Sequence, residues 1–133
     1  MKVKSIEIEN FDSNKDFYSS VQSWREIVNA IDKLDGNKIS YCMLYKTENP
    51  DIEDFLMIGG GKDGIYVCSY YNGDEYHLVN KNNKNDQSII QVLTGQVSGK
   101  FKRHCVERDQ LLPSVKLFCE TWSVYNNPDW EQV

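Results

Sequence analysis

Long apolar runs are missing from this chain. No stretch of its 133 residues approaches the ~20 that a membrane-spanning helix needs. The first ten residues, Met1 to Asn10, include Glu7 and Glu9 where a signal peptide needs an apolar segment, so secretion by that route is not expected. Histidine is scarce, with His77 and His104 alone, and Cys-x-x-Cys does not occur. The four cysteines stand at 42, 68, 105 and 119, separated by 26, 37 and 14 positions, which is no zinc-site spacing. Each lies in an apolar stretch such as Tyr41-Cys42-Met43-Leu44. That pattern predicts small buried side chains in a reducing cytoplasm, with nothing in favour of a disulfide between Cys105 and Cys119. Repeats and Pro-rich linkers are also absent, so residues 1–133 read as a single domain.

The usual catalytic signatures are missing as well. Gly59-Gly60-Gly61-Lys62 lacks the four residues that separate the glycines of a phosphate loop, and Asp63 stands where a Ser or Thr would reach magnesium. The segment reads as a hairpin loop. His104-Cys105 is the one adjacent base–thiol pair, but neighbouring residues of a strand point to opposite faces. The zinc-deaminase signature, His-x-Glu with Pro-Cys-x-x-Cys, does not occur. The expectation is therefore a protein that is not an enzyme and holds neither cofactor nor metal.

What remains is an ordinary folding composition, 40% hydrophobic, 12% aromatic and 26% charged, with an uneven distribution of charge. The net charge is −5. Residues 48–75 carry −6 through Glu48, Asp51, Glu53, Asp54, Asp63, Asp74 and Glu75 against Lys62 alone, whereas residues 76–108 carry +4. Such a chain repels nucleic acid and attracts a basic partner.

Hydrophobic spacing supplies the elements. Lys2 to Glu9 alternates and predicts an edge strand. Val21, Trp24, Ile27, Val28, Ile31 and Leu34 share one helical face, with Ser20 as the expected N-cap and Gly36 as a left-handed C-terminal residue. Lys38 to Lys46, Asp54 to Ile58, Ile65 to Tyr71 and Glu75 to Val79 read as consecutive antiparallel strands. Ser88 to Leu93 and Gln96 to His104 form a further pair around Thr94-Gly95. Leu111, Leu112, Val115, Phe118, Cys119 and Trp122 fit a second helix, capped by Asp109 and with Pro113 in its first turn. The predicted fold class is α+β: a meandering antiparallel sheet with two helices packed on one face. Trp24, Gly59, Trp122 and Trp130 are the expected structural residues, with Trp130 closing the C-terminus.

In that order the elements resemble the first numbered family of bacterial polymorphic-toxin immunity proteins. The likeness rests on the early helix leading into Ile39 to Lys46 and on the hairpin Phe55-Leu56-Met57-Ile58-Gly59-Gly60-Gly61 before Gly64-Ile65-Tyr66. It continues in the Gly99 to Val106 strand running into a helix at Asp109 and in the closing Pro128-Asp129-Trp130-Glu131. The lysine- and asparagine-rich loop at 80–86 and a longer N-terminus depart from the family pattern. The resemblance implies a cytoplasmic inhibitor of a cognate toxin of the deaminase superfamily or another nucleic-acid-acting class. It would be a monomer when free and 1:1 with the toxin, touching neither nucleic acid nor membrane. Such toxins hold phosphates with Lys and Arg, so the acidic, tyrosine-bearing middle is the expected contact: Asp51, Glu53, Asp54, Tyr70, Tyr71, Asp74 and Glu75. The alternatives are a small-molecule-binding or regulatory α+β domain, and a hydrolase using His104 or Cys105.

Overall fold

A computed structural model describes residues 1–133. Its elements are β1 (Ser5–Ile8), β2 (Phe17–Ser20), α1 (Trp24–Asp32), β3 (Tyr41–Tyr45), β4 (Phe55–Gly60), β5 (Tyr66–Tyr71), β6 (Glu75–Leu78), β7 (Ile89–Leu93), β8 (Val97–Phe101), α2 (Arg108–Thr121) and β9 (Trp130–Gln132). Seven strands form one sheet in the order β2-β1-β3-β4-β5-β6-β9, antiparallel throughout, while β7 and β8 pair apart as a separate hairpin. The fold is α+β with a meandering sheet, as expected.

Register divides the sheet into two faces. Ile6, Leu44, Leu56, Tyr70 and Tyr76 align across five strands, with Cys42, Ile58 and Cys68 in the neighbouring row. These residues pack against Ile27, Ala30 and Ile31 of α1 and Leu111, Val115, Phe118 and Cys119 of α2, so both helices cover one face. The other face is covered only in part. There the β7–β8 hairpin lies across β4 and β5 and buries Val67, Val92 and Cys105. Gly59 permits this approach, because a Cβ there would meet Thr94 Cγ2 at 2.5 Å. Gly95 N–H donates to Ser40 Oγ at 2.8 Å and fixes the hairpin tip.

All four cysteines are free and buried. Cys105 sits under the hairpin while Cys119 faces the helix-side core, so the two are parted by the sheet. No helix is long and apolar enough to cross a membrane.

Several local expectations need correction. The N-terminal strand is not an edge, since β2 pairs outside it. Ser20 does not cap α1: it ends β2, where Val21 N–H still bonds Lys4 O, and the helix begins after Ser23, whose N–H is accepted by Glu26 Oε2 at 2.9 Å. Trp24 is half-buried against the core rather than within it. Gly36 takes φ +68° in the turn beyond α1, and the C-cap itself is Lys33. Asp109 lies in the first turn of α2, and Glu107 is the N-cap, because the Tyr66–Val106 bridge releases the chain earlier than expected. Pro113 is consequently the sixth helical residue, in the second turn rather than the first. The strand predicted to reach His104 stops at Phe101 and becomes a 3-10 turn over Lys102–His104. The closing tail is β9, with Trp130 opposite Leu78 and buried against Phe118 at 5.8 Å.

Candidate partner-binding surface

The β4–β5–β6 register sets Phe55 opposite Tyr71 and Tyr71 opposite Glu75. The β3–β4 loop, residues 46–54, and the β5–β6 turn, residues 72–74, therefore emerge side by side at one end of the sheet. This rim unites Asp51, Glu53, Asp74 and Glu75. Side-chain oxygens shape both segments: Asp51 Oδ1 accepts Glu53 N–H at 3.0 Å, and Asn72 Oδ1 accepts Asp74 N–H at 3.1 Å. Glu75 meets His77 Nε2 at 3.3 Å, whereas Asp51, Glu53 and Asp74 form no ion pair. Ile52 stands between two of these carboxylates and is 85% exposed. Tyr125, also exposed, joins the rim through Asn72 Nδ2, which donates to its hydroxyl at 3.3 Å. Neither residue was anticipated from sequence. Ile52 is a lone apolar side chain in an acidic loop, and Tyr125 comes from the far end of the chain.

Two of the predicted contact residues have other work. Tyr70 is buried, 4% exposed, with its ring 4.8 Å from Phe118. Its hydroxyl donates to Asp54 Oδ1 at 2.7 Å, Trp122 Nε1 donates to the same oxygen at 2.9 Å, and Lys46 Nζ lies 3.1 Å from Oδ2. Burial pushes the Asp54 carboxyl up, but these three partners outweigh it and hold the carboxyl below the ordinary aspartate range. Asp54 and Tyr70 thus tie the rim to α2 instead of presenting themselves to a partner. Tyr71 points to the opposite face, half-buried and stacked on Phe55 at 5.0 Å.

A polar cluster links β5, β6, β9 and the 3-10 turn after β8. Ser69 Oγ lies 2.7 Å from His77 Nδ1, and His77 stacks on His104 at 4.8 Å. His104 Nε2 and Arg103 both reach Glu131 Oε1, at 3.2 and 3.1 Å. Burial pushes both histidines down; the stacked His104 lowers His77 further, and for His104 the neighbouring Glu131 carboxylate opposes the shift without reversing it. Serine, histidine and Glu75 in sequence have the order of a nucleophile relay, yet Ser69 is 2% exposed and no substrate carbonyl can reach its Oγ. Cys105 is buried, and burial pushes its thiol up to about 11, away from thiolate chemistry. The cluster is a clamp between the sheet and the hairpin's exit.

A cavity of about 560 Å³ lies between the 80–83 loop and α2. Its charges are mixed, with Lys81 and Lys102 against Glu107, Asp109 and Asp129. Two of its four side-chain amides are already occupied: Asn80 Nδ2 donates to Cys105 O and Gln110 Nε2 to Val79 O, each at 2.7 Å.

Neither a scan against models of protein families nor a search of curated proteins returns a match.

Proposed function

We propose that this chain is a cytoplasmic immunity protein that binds and neutralises a cognate bacterial toxin by stoichiometric contact, without catalysis or cofactor. The toxin would be a deaminase or another enzyme acting on nucleic acid. The observation that carries this reading is the rim: three carboxylates without cations, gathered from two loops around the exposed Ile52. A nucleic-acid-acting enzyme holds phosphates with Lys and Arg, and a carboxylate-bearing projection can occupy the same groove. An apolar side chain encircled by charge suits such a role, because the charges steer the encounter while the apolar group gains from desolvation. The ordered resemblance of the elements to polymorphic-toxin immunity proteins points the same way.

Co-expression with the protein encoded beside this chain tests the reading. A 1:1 complex that survives size exclusion is expected, weakening as salt is raised. A second reading, a small-molecule-binding or regulatory domain, is favoured only by the cavity between the 80–83 loop and α2. It predicts a small ligand retained through purification and no protein complex.

A further inference from the structure

The two rim loops hold twelve residues, 46–54 and 72–74. A specific protein–protein interface usually takes roughly 20–30 residues from each partner, burying about 800 Å² a side. If the chain works as proposed above, more of its surface must contribute, and the part of the sheet face over β2, β1 and β3, outside helices and hairpin, borders the rim where β3 enters the 46–54 loop.

That face is readable from register. One row runs Tyr18, Glu7, Met43 and Met57 across β2, β1, β3 and β4, and ends on β5 and β6 at Ser69 and His77, which the polar clamp covers. The next row, Phe55, Tyr71 and Glu75, with the buried Tyr45 beside Phe55, leads into the rim loops. At the β2 side the face is acidic. Tyr45 donates its hydroxyl to Glu7 Oε1 at 3.0 Å, and Tyr41 donates its own to Asp16 Oδ2 at 2.6 Å. Neither carboxylate has a cation partner. Around them Tyr18 is 41% exposed and Met43 is partly open, while Met57, also partly open, packs against the hairpin's buried cluster and marks the border of the face. Methionine adapts its shape to a partner, and tyrosine gives contact area with few rotamers to freeze.

We infer that this open sheet face, centred on Glu7, Asp16, Tyr18 and Met43, seats a cationic loop of the same basic protein that meets the rim. Lys or Arg side chains of that loop would neutralise Glu7 and Asp16 while their aliphatic stems lie on Met43 and Tyr18. The face and the rim then act as one continuous interface, and neither is sufficient alone.

The test is calorimetric titration of the protein encoded beside this chain into wild type, a rim variant (Glu53→Lys with Asp74→Lys) and a face variant (Glu7→Lys with Asp16→Lys). Tyr18→Ala is included because an exposed residue on a strand edge can be removed without unfolding the sheet. The expected result is at least tenfold weaker binding for the rim variant, the face variant and Tyr18→Ala alike. The ¹³C-methyl signals of Met43 and Met57 in the wild-type protein should also shift on complex formation while Met1 stays in place. Should the rim variant weaken binding while Tyr18→Ala binds as wild type and both methyl signals stay put, the face is no part of the interface and the immunity reading survives without it. Methyl shifts that instead follow the concentration of this chain alone, with a sedimentation shift to dimer, would assign the face to a second copy and overturn the inference. No binding by wild type would remove the immunity reading itself.

Discussion

The indole N–H of Trp122 donates to Asp54 Oδ1 at 2.9 Å, joining the end of α2 to the start of β4 across 68 positions of sequence. Trp122 reaches it by adopting φ +49° at the C-cap of α2, a left-handed conformation rare for a bulky residue. Together with the Tyr70 hydroxyl, this bond fixes the base of the acidic loop, which carries the exposed Ile52.

Asp54→Ala should therefore cost stability, although it removes a charge from a crowded acidic rim. It leaves the Tyr70 hydroxyl and the Trp122 N–H without their acceptor. At ~1–3 kcal/mol for each unsatisfied buried group, the loss should be about 2–5 kcal/mol in urea denaturation. Asp54→Asn retains an acceptor and should lose less. Because the Asp54 carboxyl is held below its unfolded range, its contribution is full above that range and is lost as the pH falls through the lowered folded value.

The stacked pair His77 and His104 gives a second, separable pH effect. Both are held below the ordinary histidine value, so folding favours their neutral forms. Their contribution is full above the unfolded histidine range, near pH 6.5, and is lost as the pH falls through the lowered folded values. Denaturation midpoints should fall between pH 8 and pH 5 for wild type and change less for His77→Gln, which does not titrate. Equal pH dependence in both proteins would refute the clamp.

Trp130 is the last large side chain of the core, 8% exposed and placed between Leu78 and Phe118. Trp130→Ala should cost roughly 3–5 kcal/mol, as for other large buried aromatics. In a domain of this size that is a melting temperature lower by on the order of 10 °C. An unchanged melting temperature would contradict its role in closing the sheet.

At the rim, Glu53→Lys and Asp74→Lys should each leave stability within about 0.5 kcal/mol of wild type, because neither carboxylate is paired in the fold, whereas Asp51→Lys also removes the acceptor of the Glu53 N–H. Each should slow association with a basic partner, most strongly at low salt, where charge steering is least screened. Stopped-flow association rates measured at two ionic strengths separate this from a change in dissociation.

The helices and the central strands were legible because their apolar residues repeat at 3.6 and 2.0 and bury one face each. The edge strand β2 was not, since Phe17–Ser20 is exposed on both faces and carries no alternation for burial to impose. β9 was hidden by its length of three residues and by Pro128 just before it. Capping followed tertiary contacts more than propensity: Lys4 holds Val21 extended, so Ser23 rather than Ser20 starts α1. In the candidate site, clustering in sequence misjudged the tyrosines. Tyr70 and Tyr71 are consecutive in β5, so they face opposite ways, and only one can lie on the helix-covered side. The acidic loops were visible as a run of charge, but Glu7 and Asp16, more than 30 residues earlier, join the same surface only through strand order.

Neutralisation is decided by titrating this chain at low salt into the protein encoded beside it and following that protein's toxic activity. A linear fall that reaches zero at one equivalent is expected, with Asp51→Lys, Glu53→Lys and Asp74→Lys requiring an excess. Full toxin activity at several equivalents of correctly folded protein would contradict it.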